Sequence, residues 1–302
     1  MVNNKNTVRI LIIAISFLFI IGMIFATIYD FRISAFLTKM QETEDSVTMS
    51  FPIPSLIVEI IGEWPASIFG AFCLAIILRS LLKYKKPATY AGAVVSAVMI
   101  FYVMYTTCEN TIEDVNFLVS DQRVFNTSNL LIAIPLTIIT SLAVIAVALM
   151  MAQKTADRLF VPAIVCAAML LCLLLGTNVI KVLWGRVRMR ELFEACDFSG
   201  FTKWFTPNFF SGSKSFPSGH TVNAVSLGLI PIFYSNKLKK RIPYLQVLTY
   251  VLVAVWSVLV AFTRITVGAH YLSDVLVGGM LAFISVMLGH YFMKRIREAD
   301  PA

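Results

Sequence analysis

The sequence predicts an all-α protein, a polytopic transmembrane helical bundle of about eight spans. Of its 302 residues, 58% are apolar and only 14% are charged, and the mean hydropathy is +0.81. A soluble domain is about 45–50% apolar and about 25% charged, so this composition excludes a soluble fold. Several apolar runs also approach the roughly 20 residues that an α-helix needs to cross a bilayer.

The predicted spans are apolar runs bounded by charged or polar residues. The first is too long for a signal peptide and lacks a small-residue cleavage site, so we expect it to be a retained helix. A shorter apolar segment, 51–64, predicts either a helix lying in the interface or a lead-in to the second span. We divide the chain into N-terminal spans, 1–158, and a motif-bearing part, 159–302, of one integrated membrane domain. The spans are 9–28, 65–82, 90–107, 130–151, 160–180, 220–234, 244–262 and 273–292.

The net charge of +8 predicts an orientation in the membrane rather than nucleic-acid binding. Lys and Arg are in excess in cytoplasmic loops of membrane proteins. Eight spans bring all five basic clusters to one side, which predicts that both termini are cytoplasmic. The clusters contain Lys5 and Arg9, then Arg79, Lys83, Lys85 and Lys86, then Lys154 and Arg158, then Lys237, Lys239, Lys240 and Arg241, and finally Lys294, Arg295 and Arg297.

One loop on the predicted outer side, between the fifth and sixth spans, is basic as well. It is consistent with a solvated loop, with an inverted topology, or with a pocket for an anion met on the outer face. The positive charge of this loop is partly neutralised by Glu191, Glu194 and Asp197. The basic residues of this loop are Lys181, Arg186, Arg188, Arg190, Lys203 and Lys214.

Two of the three histidines lie at span ends on this side. His220 follows Pro-Ser-Gly and opens an apolar run, where the free backbone donors of a helix start favour an anion. Asp274 follows His270 by four residues, so on a helix the carboxylate would orient the imidazole and leave its other nitrogen free as a nucleophile. Each pattern also fits a plain helix start or cap. His290, late in the last span, is interpreted as structural.

Two further groups of cations lie near these histidines in the predicted topology. Arg264, six residues before His270, has a planar fork suited to phosphate oxygens. Three positive side chains leave the fifth span between Lys181 and Arg188, where they either bind an anion or snorkel at the span end. Because the topology brings all three segments to one leaflet, a single anion site is favoured over three coincidences.

These segments resemble the signature of the type 2 phosphatidic acid phosphatase (PAP2) superfamily, which reads KxxxxxxRP, PSGH and SRxxxxxHxxxD. Order and internal spacing are kept over about the last 125 residues. Met189 replaces the proline of the first segment, and Thr263 replaces the serine of the third.

The resemblance implies a membrane phosphatase with a six-helix core, so two of the predicted spans are extra. It implies His270 as a nucleophile that forms a phosphohistidine, Asp274 as its orienting residue, and His220 as proton donor and then base. No metal or other cofactor is implied. The implied phosphate-binding residues are Lys181, Arg188, Ser218, Gly219 and Arg264.

The expected substrate is a lipid phosphate or diphosphate at the outer leaflet of a bacterial plasma membrane. Undecaprenyl diphosphate, phosphatidic acid and phosphatidylglycerol phosphate are all open, with a preference for the first because the predicted site faces outward. The expected partners are membrane lipids and the lipid substrate, and no nucleic acid. The alternatives are a lipid phosphotransferase and a non-catalytic lipid-phosphate binder or transporter. Cys108 and Cys196 lie in predicted outer segments, where an oxidising compartment would permit a disulfide.

Overall fold

The computed structural model describes residues 4–42, 47–48, 52–120, 126–209 and 211–299. Their regular structure is helical apart from one antiparallel pair of two-residue strands, β1 (Gln41–Glu42) and β2 (Val47–Thr48). The all-α class is therefore confirmed. The helices are α1 (Asn4–Leu37), α2 (Ile53–Ile61), α3 (Trp64–Leu81), α4 (Pro87–Ser120), α5 (Leu130–Met150), α6 (Gln153–Trp184), α7 (Met189–Glu194), α8 (Gly219–Ser226), α9 (Asn236–Arg241), α10 (Leu245–Thr266) and α11 (Leu272–Ala299).

Seven helical segments in the described part of the chain are long and apolar enough to cross a bilayer, which confirms a polytopic bundle. The predicted sixth span is different, because α8 gives way after eight residues to a 3₁₀ run, Leu227–Phe233, that contains Pro231. From the rises per residue, α8 and this run together extend about 26 Å. The seven segments are Ile12–Leu37, Ile53–Tyr84, Pro87–Val119, Thr127–Met150, Gln153–Glu194, Leu245–Thr266 and Leu272–Ala299.

Two other sequence predictions fall in the described regions. The segment 51–64 contains α2 and the first residue of α3, while Phe51 itself lies outside the described residues. Cys108 is buried and Cys196 is exposed, and each is a free thiol. The disulfide considered for these two residues is therefore not formed.

The chain divides into two compact units, neither of which is one continuous stretch of sequence. The first contains Met1–Ser55, Gly176–Val222 and Ala261–Leu281. Aromatic packing organises its interior: the ring of Phe201 meets those of Phe31 and Tyr271 edge-on, at centroid distances of 5.3 Å in both cases. The predicted boundary at 158/159 stays a prediction.

The second unit contains Leu56–Leu175, Asn223–Val260 and Ala282–Ala302. Its apolar interior forms two clusters, one around Ile76 and Cys166 and the other around Ile100 and Met104. His290 lies in this unit with its Nε2 atom 3.0 Å from the carbonyl oxygen of Gly228. A ring nitrogen bound to main chain inside a helical unit is consistent with the structural role expected for His290.

Candidate active site

Backbone hydrogen bonds join the three motif segments within the first unit. The Ser215 amide donates to the Arg186 carbonyl at 2.9 Å, and the Ser218 amide donates to the Asp274 carbonyl at 3.0 Å. A third bond, from the Arg190 amide to the Gly268 carbonyl, measures 2.9 Å. These bonds join residues that lie 29 to 78 positions apart in the sequence into one local structure.

A glycine of α11 makes this close packing possible. A Cβ atom on Gly278 would lie only 2.6 Å from the carbonyl oxygen of Ser218. Real Cβ contacts are essentially never shorter than 3.0 Å, so any larger residue would push the Pro217–His220 turn away from α11. Gly278 therefore sets the distance between the turn and the helix.

His270 lies in the turn that precedes α11, and its side chain is 2% exposed. Its Nδ1 atom is 2.5 Å from the carbonyl oxygen of Ser215. Because a carbonyl can only accept, Nδ1 carries the proton and Nε2 keeps its lone pair. The imidazole is thereby held in the tautomer that a nucleophilic Nε2 requires.

The carboxylate of Asp274 is connected to His270 mainly through Ser215. The Asp274 Oδ2 atom is 3.7 Å from His270 Nδ1, outside hydrogen-bond distance. The same oxygen accepts the Ser215 hydroxyl at 2.5 Å and the Tyr271 amide at 2.9 Å. Only Asp274 lies inside α11, so the two residues do not share one helix face as their four-residue spacing predicted.

Burial keeps the His270 ring uncharged. Loss of hydration lowers its pKa from 6.5 to about 3, and the positive charges of Arg264 and Lys181 add to this effect. The nearby Asp274 carboxylate acts in the opposite direction without cancelling it. A neutral imidazole with a free Nε2 beside two cations is a suitable environment for attack on a phosphorus atom.

The remaining motif residues surround this imidazole to different extents. A Cβ atom on Gly219 would lie 3.2 Å from Lys181 Nζ, so the ammonium group is beside the glycine backbone. Ser218 is fully buried, and its hydroxyl accepts the Thr221 hydroxyl at 3.0 Å. Arg264 is 4% exposed, and its carbonyl accepts the His270 amide at 3.1 Å.

Arg188 and His220 are partly exposed members of the set. The Arg188 side chain is 25% exposed and its Nη1 atom lies 3.6 Å from Glu191 Oε1. His220 is half-buried in the first turn of α8. Both residues lie in the same unit as His270, as do all other predicted site residues.

The basic loop between the fifth and sixth predicted spans suggested an open pocket for an anion. Arg186 is not part of such a pocket. Its side chain is 0% exposed and donates from Nη1 to Asp274 Oδ1 at 2.6 Å and from Nη2 to Asp30 Oδ2 at 3.0 Å. The turn that brings it inward depends on Gly185, whose φ is +52° and whose added Cβ would lie 2.0 Å from the Asn208 carbonyl oxygen. The cation is fully occupied by protein groups.

Ser215 and Asp30 are site residues that were not identified from the sequence. Ser215 lies two residues before the Pro-Ser-Gly-His motif, outside the signature positions. Asp30 follows the predicted end of the first span, and the structure shows that α1 continues through it to Leu37. An acidic residue inside an apolar helix is a signal of function that could have identified it.

No group of three or more His, Cys, Asp or Glu that could hold a metal ion is found in the part of the chain that the structure describes. The charged groups around His270 are instead mainly cations. Such cations are suited to hold an anionic group directly.

Comparison with known proteins supports the resemblance drawn from the motifs. Residues 161–298 match the model of the PAP2 superfamily. Phosphatidylglycerophosphatase B of Bacillus subtilis is 34% identical over 100 residues, which cover 31% of this chain and 48% of the relative. Phosphatidylglycerophosphatase B of Haemophilus influenzae is 33% identical over 81 residues, covering 27% and 33%.

A third relative is the lipid A 4'-phosphatase of Porphyromonas gingivalis, 27% identical over 144 residues that cover 47% of this chain and 53% of the relative. The chain therefore spans about half or less of the length of these curated relatives. No solved structure gives a significant match to it.

Proposed function

We propose that the protein, whose residues 161–298 match the model of the PAP2 superfamily, is a membrane phosphatase that removes phosphate from a lipid through a phosphohistidine intermediate. The observation that carries the proposal is the hydrogen bond of 2.5 Å between His270 Nδ1 and the Ser215 carbonyl oxygen. It fixes the tautomer with a free Nε2 in the segment that the family match includes.

In the first step, His270 Nε2 attacks the phosphorus atom, and the bond from phosphorus to the lipid oxygen breaks. His220 gives its proton to that oxygen, so the lipid leaves as an alcohol, or as a monophosphate when the substrate is a diphosphate. The phosphorylated ring keeps its Nδ1 proton and becomes more positive. The Ser215 carbonyl and the Asp274 carboxylate stabilise that charge from the Nδ1 side.

In the second step, His220 removes a proton from water, and the hydroxide attacks the phosphorus atom. The bond between phosphorus and Nε2 breaks, inorganic phosphate leaves, and His270 returns to its neutral form. One difficult displacement is thereby divided into two easier ones. His220 ends the cycle protonated again, ready for the next lipid.

The phosphate oxygens are held by the cations around His270. Lys181 and Arg264 act electrostatically on its ring, and Arg188 remains partly exposed. With Ser218 and the backbone of Gly219, these groups offer donors to the charge that develops in each displacement. This charge stabilisation comes from side chains, so we propose that the reaction is independent of metal ions.

The proposed substrate is a lipid phosphate presented at the outer leaflet. Two relatives are named for phosphatidylglycerophosphate and one for lipid A, which favours a phosphomonoester over a diphosphate. The basic clusters predict cytoplasmic termini and an outward-facing site in a bacterial plasma membrane. The two proposals are separable, since the substrate is tested in detergent and the orientation requires a sided membrane.

The experiment is phosphate release by purified protein in detergent, with a chelator present. Phosphatidylglycerol phosphate, phosphatidic acid, lipid A and undecaprenyl diphosphate are compared, and His270→Gln is measured in parallel. Chelator-resistant release that His270→Gln lacks is expected. Release that stops with chelator contradicts metal independence, and equal release by His270→Gln contradicts the nucleophile.

A further inference from the structure

Two buried charges in the first unit have no place in the chemistry described above. Arg186 is 0% exposed and Asp30 is 4% exposed. Arg186 lies between the signature positions, and Asp30 lies in α1, far outside residues 161–298. Burying ionised side chains is costly unless they are paired and hydrogen-bonded, so their presence calls for an explanation.

The guanidinium of Arg186 bridges two carboxylates. Its Nη1 donates to Asp274 at 2.6 Å, its Nη2 donates to Asp30 at 3.0 Å, and its Nε donates to the Thr202 carbonyl at 2.9 Å. Each nitrogen of the planar group therefore has a protein acceptor. Its Cζ atom also lies 4.1 Å from the ring centroid of Tyr271. These contacts fix the position of the Arg186 guanidinium, which donates directly to the Asp274 carboxylate.

Asp30 in turn fixes the start of α11. Its Oδ1 accepts the Ser273 amide at 2.9 Å, and its Oδ2 accepts the Ser273 hydroxyl. The same hydroxyl accepts Arg186 Nη1 at 2.7 Å. One carboxylate from α1 therefore binds both the residue before Asp274 and the cation that holds Asp274.

These contacts form a continuous connection to the imidazole. Asp30 binds Arg186, Arg186 binds Asp274 Oδ1, and the other oxygen of Asp274 binds the Ser215 hydroxyl at 2.5 Å. The carbonyl of Ser215 holds His270 Nδ1. A carboxylate is thus fixed on both of its oxygens immediately beside the residue that the proposed reaction uses.

We infer that Asp30 and Arg186 are positioning residues, which act on His270 by fixing the orientation and the charge of Asp274. The inference rests on the proposed function for its catalytic meaning. It also makes α1 a part of the site, although that helix lies outside the region that defines the family.

The test compares Asp30→Asn, which keeps the shape and removes the charge, with Ser34→Ala. Ser34 is a matched control because it is fully buried one turn further along α1, and its hydroxyl has no hydrogen-bond partner among the described residues. Asp30→Asn is expected to lower kcat about 10- to 100-fold with KM nearly unchanged, since a misplacement of about 1 Å has a cost of that size. Ser34→Ala is expected to match the wild type in both constants.

A double-variant cycle separates positioning from a general loss of structure. If Asp30 acts through Asp274, adding Asp30→Asn to Asp274→Asn causes no further loss in single-turnover rate. Losses that multiply would overturn the inference. Should Asp30→Asn fail to fold, Arg186→Lys serves instead, because a single ammonium cannot reproduce the two-pronged contact with both carboxylates.

A readout without turnover keeps the inference testable if the protein releases no phosphate from any lipid. The chain has three histidines, so ¹⁵N-histidine spectra are simple, and His270→Gln identifies the His270 signals. Asp30→Asn is expected to shift those signals, whereas Ser34→Ala leaves them in place. Unchanged His270 signals in Asp30→Asn would overturn the positioning role. Absence of phosphate release with shifted signals would instead refute only the proposed function.

Discussion

Replacing Gly278 with alanine tests whether the distance between the Pro217–His220 turn and α11 controls the reaction. The new Cβ would lie 2.6 Å from the Ser218 carbonyl oxygen, whereas ordinary van der Waals contact begins at 3.4 Å. The turn and helix must therefore separate by about 0.8 Å. A shift of about 1 Å in a reacting geometry can cost about 100-fold in rate, so we expect kcat to fall by about 10- to 100-fold.

The next residue provides the control. A Cβ on Gly279 would lie 3.7 Å from Thr221 Cγ2, which is ordinary contact. Both changes replace glycine with alanine in one helix, and each gains about 1 kcal/mol of helix propensity. Initial rates of lipid-phosphate hydrolysis, with thermal unfolding in detergent, compare the two variants. Equal rates for Gly278→Ala and Gly279→Ala would refute the argument that this contact positions the site.

Four more predictions concern His270 and its neighbours. Because the His270 pKa is lowered from 6.5 to about 3, its ¹⁵N signals should remain those of a neutral ring from pH 8 to pH 5; a titration near pH 6.5 would contradict this. The unfolded chain then binds the proton that the folded chain excludes, so His270 lowers stability as pH falls through 6.5 toward 3, and His270→Gln should lose less thermal stability between pH 7 and pH 5. Ser215→Ala removes a charge-assisted hydrogen bond of about 1.5–3 kcal/mol, and the rate of phosphohistidine formation should fall about 10- to 100-fold while substrate affinity is kept. Lys181→Met removes a cation beside Gly219 and should raise KM for the lipid phosphate at least tenfold; an unchanged KM would remove Lys181 from the phosphate site.

The three motif segments that meet near His270 could be identified from the sequence, because each motif has a fixed spacing of residues along the chain. The sequence did not predict how Asp274 reaches His270, since helical spacing applies only within a helix and α11 begins at Leu272. The serine that connects them is an ordinary turn residue by sequence alone. Such a contact depends on tertiary packing between residues 55 or more positions apart.

The ion pair between Arg186 and Asp30 was also not predictable from the sequence. A loop rich in Arg and Lys suggests a pocket for an external anion, and the sequence cannot show which cations are neutralised by the protein itself. Here the guanidinium of Arg186 donates a hydrogen bond to the carboxylate of Asp30, which lies 156 positions away in the sequence. Hydropathy also predicts that the first span ends before Asp30, because a charged carboxylate inside a membrane helix is costly unless it has a buried partner. The sequence alone does not show that partner.

In the sixth predicted span, a continuous apolar run does not form a continuous α-helix. Its apolar run is continuous, but Pro231 lacks a backbone donor and the 3₁₀ geometry around it changes the rise per residue. Composition therefore predicted the apolar character of this segment, whereas the change from α-helix to a 3₁₀ run after Ser226 is not visible in hydropathy. The long spans were predicted better because their length alone requires a continuous helix.

A phosphate bound covalently to His270 is the intermediate that defines the proposed mechanism, and this species can be trapped. Purified protein is mixed with ³²P-labelled phosphatidylglycerol phosphate or phosphatidic acid, stopped within milliseconds and mapped by peptide mass spectrometry. The proposed mechanism predicts label on Nε2 of His270 in the wild type and none in His270→Gln, whereas His220→Ala should both form and hydrolyse the labelled species more slowly. Phosphate release without label on His270, or label on another residue, would contradict it.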